Sequence, residues 1–342
     1  MLLCPLGTNT GSHDGTSFLS QAINIFANQA GAIPVVGTGN EGDTDTHTEG
    51  IIENKGETQT IELKIGGSQK TISFSIWISR PDVMSLSIVS PSGENIERIP
   101  ATLGNNKDIK FVYEGTAMRI IYDLSDRVNG WERITIFAIN LREGIWQFKL
   151  YGDYIVTGKY YAWIPQRSLL DADTKFLNTT PDVTLTIPST AKNVVSVAYY
   201  NQNNDSTVGA SGRGFPINSE IKPTIAAGGV NASVIRLNNQ VGTATGSSVA
   251  MSIVAGICAL ILEWAIVRGN DSNIRVQGVI SYIIRGARTR SGDTYPNKQW
   301  GYGMIDMQGI LDVLRGQYRT SLYKEEKYEE FYIGNLFIRK PL

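Results

Sequence analysis

Two short stretches of this chain carry residues that could do chemistry together. Residues 242–250 read GTATGSSVA and run straight into the long apolar segment 251–262. A hydroxyl residue, Ser248, therefore stands where a loop of small residues enters a helix. There the open N–H groups of the first turn and the helix dipole favour nearby negative charge. That is a mount for a serine nucleophile. The second stretch, Val35-Val36-Gly37-Thr38-Gly39-Asn40-Glu41-Gly42, ends an apolar run in a glycine-rich loop with one amide side chain. Ser248 attacking a carbonyl, with the Asn40 amide and the Ser248 N–H as donors to the resulting oxyanion, would amount to acyl transfer. A side-chain donor in such a hole is worth about 3–4 kcal/mol of barrier. Each residue also has an ordinary reading: Ser247 or Ser248 as a helix cap, the commoner role for a serine before an apolar run, and Asn40 as a turn residue.

The elements that must hold these residues follow from hydrophobic periodicity. Val249, Ile253, Ile257 and Leu260 or Ile261 recur at three- and four-residue steps, the period of one helix face, and Gly269 after Arg268 marks a C-terminal stop. Residues 33–36 form a short apolar strand opening into the Asn40 loop, which is how parallel α/β proteins build sites. A helix is expected over 20–30, and residues 43–49, polar throughout, read as a surface loop.

From about residue 51 the period changes to two. Ile61, Leu63 and Ile65 alternate with polar residues, as do Ile72, Phe74, Ile76 and Ile78, with turn signals such as Asn129-Gly130 between the runs. Several short alternating strands predict an antiparallel sandwich or jelly roll. The expected organisation is α/β, a partial parallel-sheet domain with an inserted all-β jelly roll. Residues 1–50 form the first part, 51–166 the insertion, 167–316 the second part, and 317–342 a C-terminal β tail. Further helices are expected over 273–284 and 306–314.

Composition narrows the function classes. The 342 residues carry a net charge of −1, which points away from nucleic acid and anionic membrane surfaces. Two cysteines, Cys4 and Cys258, supply neither a disulfide framework nor a cysteine zinc site. The acidic loop at 43–47 lacks calcium-loop spacing, so no metal or cofactor is expected. The apolar run 253–267 is interrupted by Glu263 and reads as too short to span a bilayer. Residues 1–4 lack the basic start and apolar length of a signal peptide.

The motifs resemble those of the subtilisin-like serine proteases, the subtilases. The Asn40 loop is similar to their V-V-A-A-G-N-E-G segment. Ser211-Gly212-Arg213-Gly214 and the stretch 221–228 are similar to S-S-R-G…I-K-P-D-I-V-A-P-G. Gly246-Ser247-Ser248-Val249-Ala250 with Val254-Ala255-Gly256 is similar to G-T-S-M-A…V-A-G. The resemblance implies Ser248 as nucleophile and Asn40 as oxyanion residue. A protein or peptide substrate would lie as an extended strand beside Leu6 and Gly7 on one side and Gly37, Thr38 and Gly39 on the other. The β insertion, the GSHDGTS run at 11–17, residues 295–303 and the ending 332–339 further resemble the Csp-type germination proteases of clostridial spores. That subgroup cleaves the pro-form of a cortex-lytic enzyme and includes catalytically dead regulatory relatives. A spore-associated or exported setting is implied with it. Thr224 stands where the family has Asp, and Ser252-Ile253 where it has Pro-His.

A serine needs a base, and that base an orienting carboxylate. In subtilases the Asp and His precede the oxyanion Asn, upstream of the strand that here begins at Met1. This chain has two histidines. His13 beside Asp14 reads as a loop-ordering pair, because adjacent side chains diverge along the backbone; His47 reads as a solvated loop residue. Neither is assigned as the base. The expectation is a subtilase C-terminal portion with nucleophile and oxyanion hole but no base, either a truncated gene product or a fragment complemented by an N-terminal piece that supplies Asp and His. The alternative is a pseudoprotease, a regulatory binding module using the same groove without cleavage.

Overall fold

A computed structural model describes residues 1–104, 106–218, 220–316, 328–333 and 336–341. The chain opens with β1 (Leu2–Cys4), α1 (Phe18–Phe26) and β2 (Pro34–Gly37). Eleven strands follow: β3 (His47–Ile51), β4 (Thr58–Ile65), β5 (Thr71–Ile78), β6 (Val83–Val89), β7 (Asn95–Ile99), β8 (Asn106–Lys110), β9 (Ala117–Asp123), β10 (Glu132–Ile139), β11 (Gly144–Tyr154), β12 (Lys159–Trp163) and β13 (Lys175–Phe176). The α/β pattern then resumes with β14 (Val195–Asn201), β15 (Ser206–Thr207), β16 (Ile225–Gly228), β17 (Ala232–Ile235) and β18 (Val241–Ala244). Helices α2 (Ser247–Leu262), α3 (Val276–Gly286) and α4 (Met307–Leu314) come next, and β19 (Tyr328–Ile333) pairs antiparallel with β20 (Leu336–Pro341). Residues 317–327, 334, 335 and 342 of the expected tail lie outside the described residues.

The central sheet runs β1-β2-β14-β16 with every neighbouring pair parallel, and β15 hairpins back on β14. Its middle strand, VSVAYYN, is apolar almost throughout, as expected of a strand covered on both faces. Val35, Val197 and Tyr199 face α2, while Ala198, Tyr200 and Ala226 face Trp300 and Met304. Helix α1 starts at Ser17, whose hydroxyl caps the Ser20 N–H at 3.2 Å.

Helix α2 corrects the face read from periodicity. The buried stripe is Ala250, Met251, Val254, Ala255, Cys258 and Ile261, packed on β2, β14 and β16. The larger stripe points outward, with Ile253 43% and Leu260 50% exposed. Small residues at 250, 255 and 258 let the helix axis approach the sheet, and bulkier ones on that side would hold it off. The length also changes. Continuing through a π turn at Glu263–Val267, the helical run covers 21 residues, long and apolar enough by composition to cross a membrane. Its inner face is nevertheless part of the sheet core.

The remaining strands form two facing antiparallel sheets, ordered β3-β12-β5-β10-β9-β8 and β13-β4-β11-β6-β7. They share one core, in which Phe74 meets Phe148 and Phe176 edge to face and Trp146 meets Phe111 in the same way. The period-two residues named from the sequence, Ile61, Leu63, Ile65, Phe74 and Ile76, all lie in it. Its first strand starts at His47, and β13 at residues 175–176 pairs with β4.

His47 is therefore no solvated loop residue. Its side chain is buried, and the ring stacks on Trp163 at 4.5 Å while His13 stacks on the other side at 4.1 Å. One tryptophan from β12 thus sits between both histidines, pinning the sandwich to the N-terminal loop. Asp14 continues the junction. It accepts from Ser12 Oγ at 2.5 Å and Thr16 N–H at 2.9 Å within its own loop, and from Asn129 Nδ2 at 2.9 Å in a sandwich turn.

Candidate active site

The site forms where β1 and β2 end and α2 begins. In a parallel sheet the carboxyl ends of neighbouring strands leave a crevice between their departing loops. Here that crevice is a cleft of about 270 Å³, lined among others by Leu6, Gly7, Gly37, Gly39, Asn40 and Ser248.

Helix α2 is not capped by a serine. Its N-cap is Gly246 at φ 139°, a backbone conformation only glycine takes readily, and no side chain caps it from within the segment. The Asn40 amide does that work from across the cleft: its Oδ1 accepts the Ser247 N–H at 3.0 Å. A Cβ at position 246 would stand 3.3 Å from that Oδ1, so glycine also leaves room for the amide. Both ordinary readings thus give way. Asn40 spans two elements, and Ser247 is buried whereas Ser248 is exposed.

This one hydrogen bond orients the amide. With Oδ1 committed to Ser247, Nδ2 is the donor the amide has left. The Ser248 N–H, in the same first turn, has no protein acceptor among the described residues. The exposed Ser248 hydroxyl thus stands at the positive end of a sixteen-residue helix, in one cleft with the Asn40 amide.

The floor between the two strand ends is a residue the sequence reading did not single out. The Thr186 N–H donates to Thr38 O at 3.0 Å, and its neighbour Ile187 exchanges backbone hydrogen bonds with Thr8 at 2.9 Å in both directions. This rung sets the Thr186 side chain between Gly7 and Gly39: a Cβ on Gly7 would come within 2.4 Å of its Oγ1, and one on Gly39 within 2.5 Å of its Cγ2. Thr38 itself is fully buried, its N–H bonded to Val197 O at 2.9 Å, and it does not line the cleft. Gln166, Ser168, Glu41 and Met251 also line the cleft. Gln166 donates through Nε2 to Gly7 O, and Glu41 Oε2 accepts the Arg167 N–H at 3.0 Å, so the exit of the sandwich is tied to both walls. No pattern in the sequence marks these contacts, since they join residues more than a hundred positions apart.

Among the described residues lining the cleft there is no histidine, and Glu41 is the one carboxylate. His13 is fully buried, its Nδ1 2.8 Å from Leu185 O and its Nε2 3.1 Å from Asn9 O. Burial lowers its pKa to about 4, and that of His47 to about 3, so both rings are neutral at physiological pH. Their places in the stack leave neither at Ser248. The Cys258 thiol, buried in α2 and pushed up to about 12, is inert.

Comparison with known proteins bears on this geometry. The subtilase family model, peptidase S8, matches residues 174–303, which include Ser248. No curated protein matches the chain. Among solved structures, the Clostridium perfringens CspB protease superposes with a TM-score of 0.85 at 29% identity, over 92% of this chain. The chain spans 66% of the length of that protein. The patellamide maturation protease PatA matches over 39% of this chain and 47% of its own, at 20% identity and a TM-score of 0.33. The prenylagaramide maturation protease PagA matches over 38% and 46%, at 24% and 0.33. The family match over the segment that holds Ser248 and the CspB likeness across both the sandwich and the parallel sheet agree, and both support a subtilisin-like protease of the Csp type.

Proposed function

We propose that this chain carries the nucleophile and oxyanion hole of a subtilisin-type serine endopeptidase that processes a protein precursor in spore germination. The observation that supports the reading is the Asn40 Oδ1 to Ser247 N–H bond, which commits the amide oxygen and leaves Nδ2 as the donor in the cleft shared with Ser248. A substrate chain would lie extended between residues 5–7 and 37–39, with its carbonyl carbon at Ser248 Oγ and its carbonyl oxygen between Asn40 Nδ2 and the Ser248 N–H. Attack then places negative charge on that oxygen where two preorganised donors meet it.

The base would come from a further subtilase segment carrying Asp and His. The surface supports this: β1 is a sheet edge with Leu2 and Leu3 36% and 40% exposed, and α2, which touches β1, turns Ile253 and Leu260 outward. An open parallel edge beside an apolar helix face is a surface that another strand and helix would cover. Without such a base Ser248 retains only the assistance of the oxyanion hole and binding.

A fluorophosphonate probe tests the reading. Expected is slow labelling at Ser248, absent in Ser248→Ala and accelerated by a co-expressed segment bearing the subtilase Asp and His motifs. No labelling with that segment present would leave the regulatory reading, a groove that binds without cleaving.

A further inference from the structure

A cavity larger than the cleft at Ser248 lies elsewhere. It is a groove of about 800 Å³ on the outer face of the six-stranded sheet, walled on its far side by residues 8–11 and by the segment leaving β12. We infer that this groove is an extended substrate-docking site, in which the β sandwich holds a stretch of unfolded polypeptide flanking the bond presented to Ser248. The inference rests on the endopeptidase reading for what lies in the cleft, and on separate residues for the groove.

Continuity is the first argument. Gln166 lines both cavities, and its side chain is bonded to the carbonyl of Gly7, in the segment after β1 that borders the cleft. A chain lying along residues 5–7 that keeps its direction meets Thr8, Asn9, Thr10 and Gly11 next, and these are the groove's wall. The groove is therefore the path by which an extended substrate leaves the cleft on one side.

The lining chemistry is the second. Strands β5 and β10 pair so that Ser73 faces Phe137 and Ser75 faces Thr135, setting hydroxyls beside apolar side chains across the floor. Phe137 is 43% and Ile139 53% exposed there. Donors and acceptors beside apolar steps suit a polypeptide, whose amides and alternating side chains repeat on the same scale. The one cation among the described residues of the floor, Arg133, is occupied by Asp123 and by Asp126 at 3.4 Å, so these residues offer no uncompensated charge to a polyanion. The Trp77 and Trp163 rings are buried, Trp77 beneath the Arg133 guanidinium at 5.3 Å, so neither presents a face on which a sugar stacks.

The test uses dye-labelled, S-carboxymethylated casein as an unfolded chain, with binding read by fluorescence anisotropy. Ser73→Arg fills the groove from an exposed position, Phe137→Asp removes its apolar step, and Thr58→Arg places the same bulk on the opposite sheet. Thermal melts confirm that each variant folds. The expected result is casein binding weakened about fivefold or more by the two groove changes and unaltered by T58R. Fluorophosphonate labelling of Ser248 should stay at the wild-type rate in all three. Equal casein affinity in wild type and Ser73→Arg, or no casein binding at all, overturns the inference. Failure of the fluorophosphonate alone defeats the endopeptidase reading, and casein binding that still responds to Ser73→Arg would then uphold the groove on its own.

Discussion

Asn40 and Ser247, 207 positions apart in the chain, are joined by a 3.0 Å hydrogen bond that caps a helix and aims an amide at once. Asn40→Asp keeps the acceptor for the Ser247 N–H and loses the donor into the cleft, whereas Asn40→Ala loses both. In protein complemented with an Asp- and His-bearing segment, fluorophosphonate reactivity at Ser248 should fall about 10²–10³-fold in both variants. Only Asn40→Ala should also destabilise the start of α2, by about 1 kcal/mol in chemical denaturation. Unchanged reactivity in Asn40→Asp would remove the amide from the chemistry.

Thr186 determines the depth of the cleft between Gly7 and Gly39. A small residue should therefore be preferred at the position whose side chain points there. Thr186→Gly should shift that preference toward large side chains by about tenfold, measured as the relative rates of peptidyl phosphonates ending in Ala or Phe. A ratio that does not move would place the specificity pocket elsewhere.

The stack of His13, Trp163 and His47 makes stability depend on acid. Burial holds the folded pKa values at about 4 and about 3, below the ordinary 6.5, so the folded state takes up fewer protons than the unfolded one. Stability from this source is complete above pH 6.5 and declines as pH falls toward 4. The melting temperature should drop between pH 7 and 5. His47→Gln should melt lower at pH 7.5, having lost the ring, but with a shallower slope across that window.

Glu132 works in the opposite sense. Buried in the sandwich with Oε2 accepting the Met84 N–H at 2.8 Å and Oε1 without a partner among the described residues, its carboxyl is raised to about 8 by desolvation. A raised acid binds a proton in the folded state that the unfolded state releases, so stability falls as pH climbs from about 4.5 to 8. Glu132→Gln should leave stability at pH 5 nearly unchanged and raise it at pH 9. If urea midpoints of wild type and variant run parallel from pH 5 to 9, Glu132 is not the titrating group.

Local chemistry made much of this protein legible in its sequence. Alternation with period two marked the sandwich strands, because each residue's side of a pleat is set by parity alone. The run of small residues before α2 and the apolar strand before Asn40 marked two loops where backbone must come close to something. Ser248, Asn40, Gly37 and Gly39 lie on those loops, and the family resemblance added Leu6 and Gly7; the structure gathers all six into one cleft. Other features depended on which faces met. The outward stripe of α2 reads as its core, since periodicity finds a face without saying what covers it; packing density against the sheet selected the smaller side. His47 looks solvated among Asp and Thr neighbours until Trp163, from a strand 116 positions later, stacks on it. Thr186 and Gln166 carry no local signature because their roles consist of contacts with strand ends distant in sequence. Residue type and spacing determined which atoms could act, and the long-range pairing of β1, β2 and β14 decided which of them share a cleft.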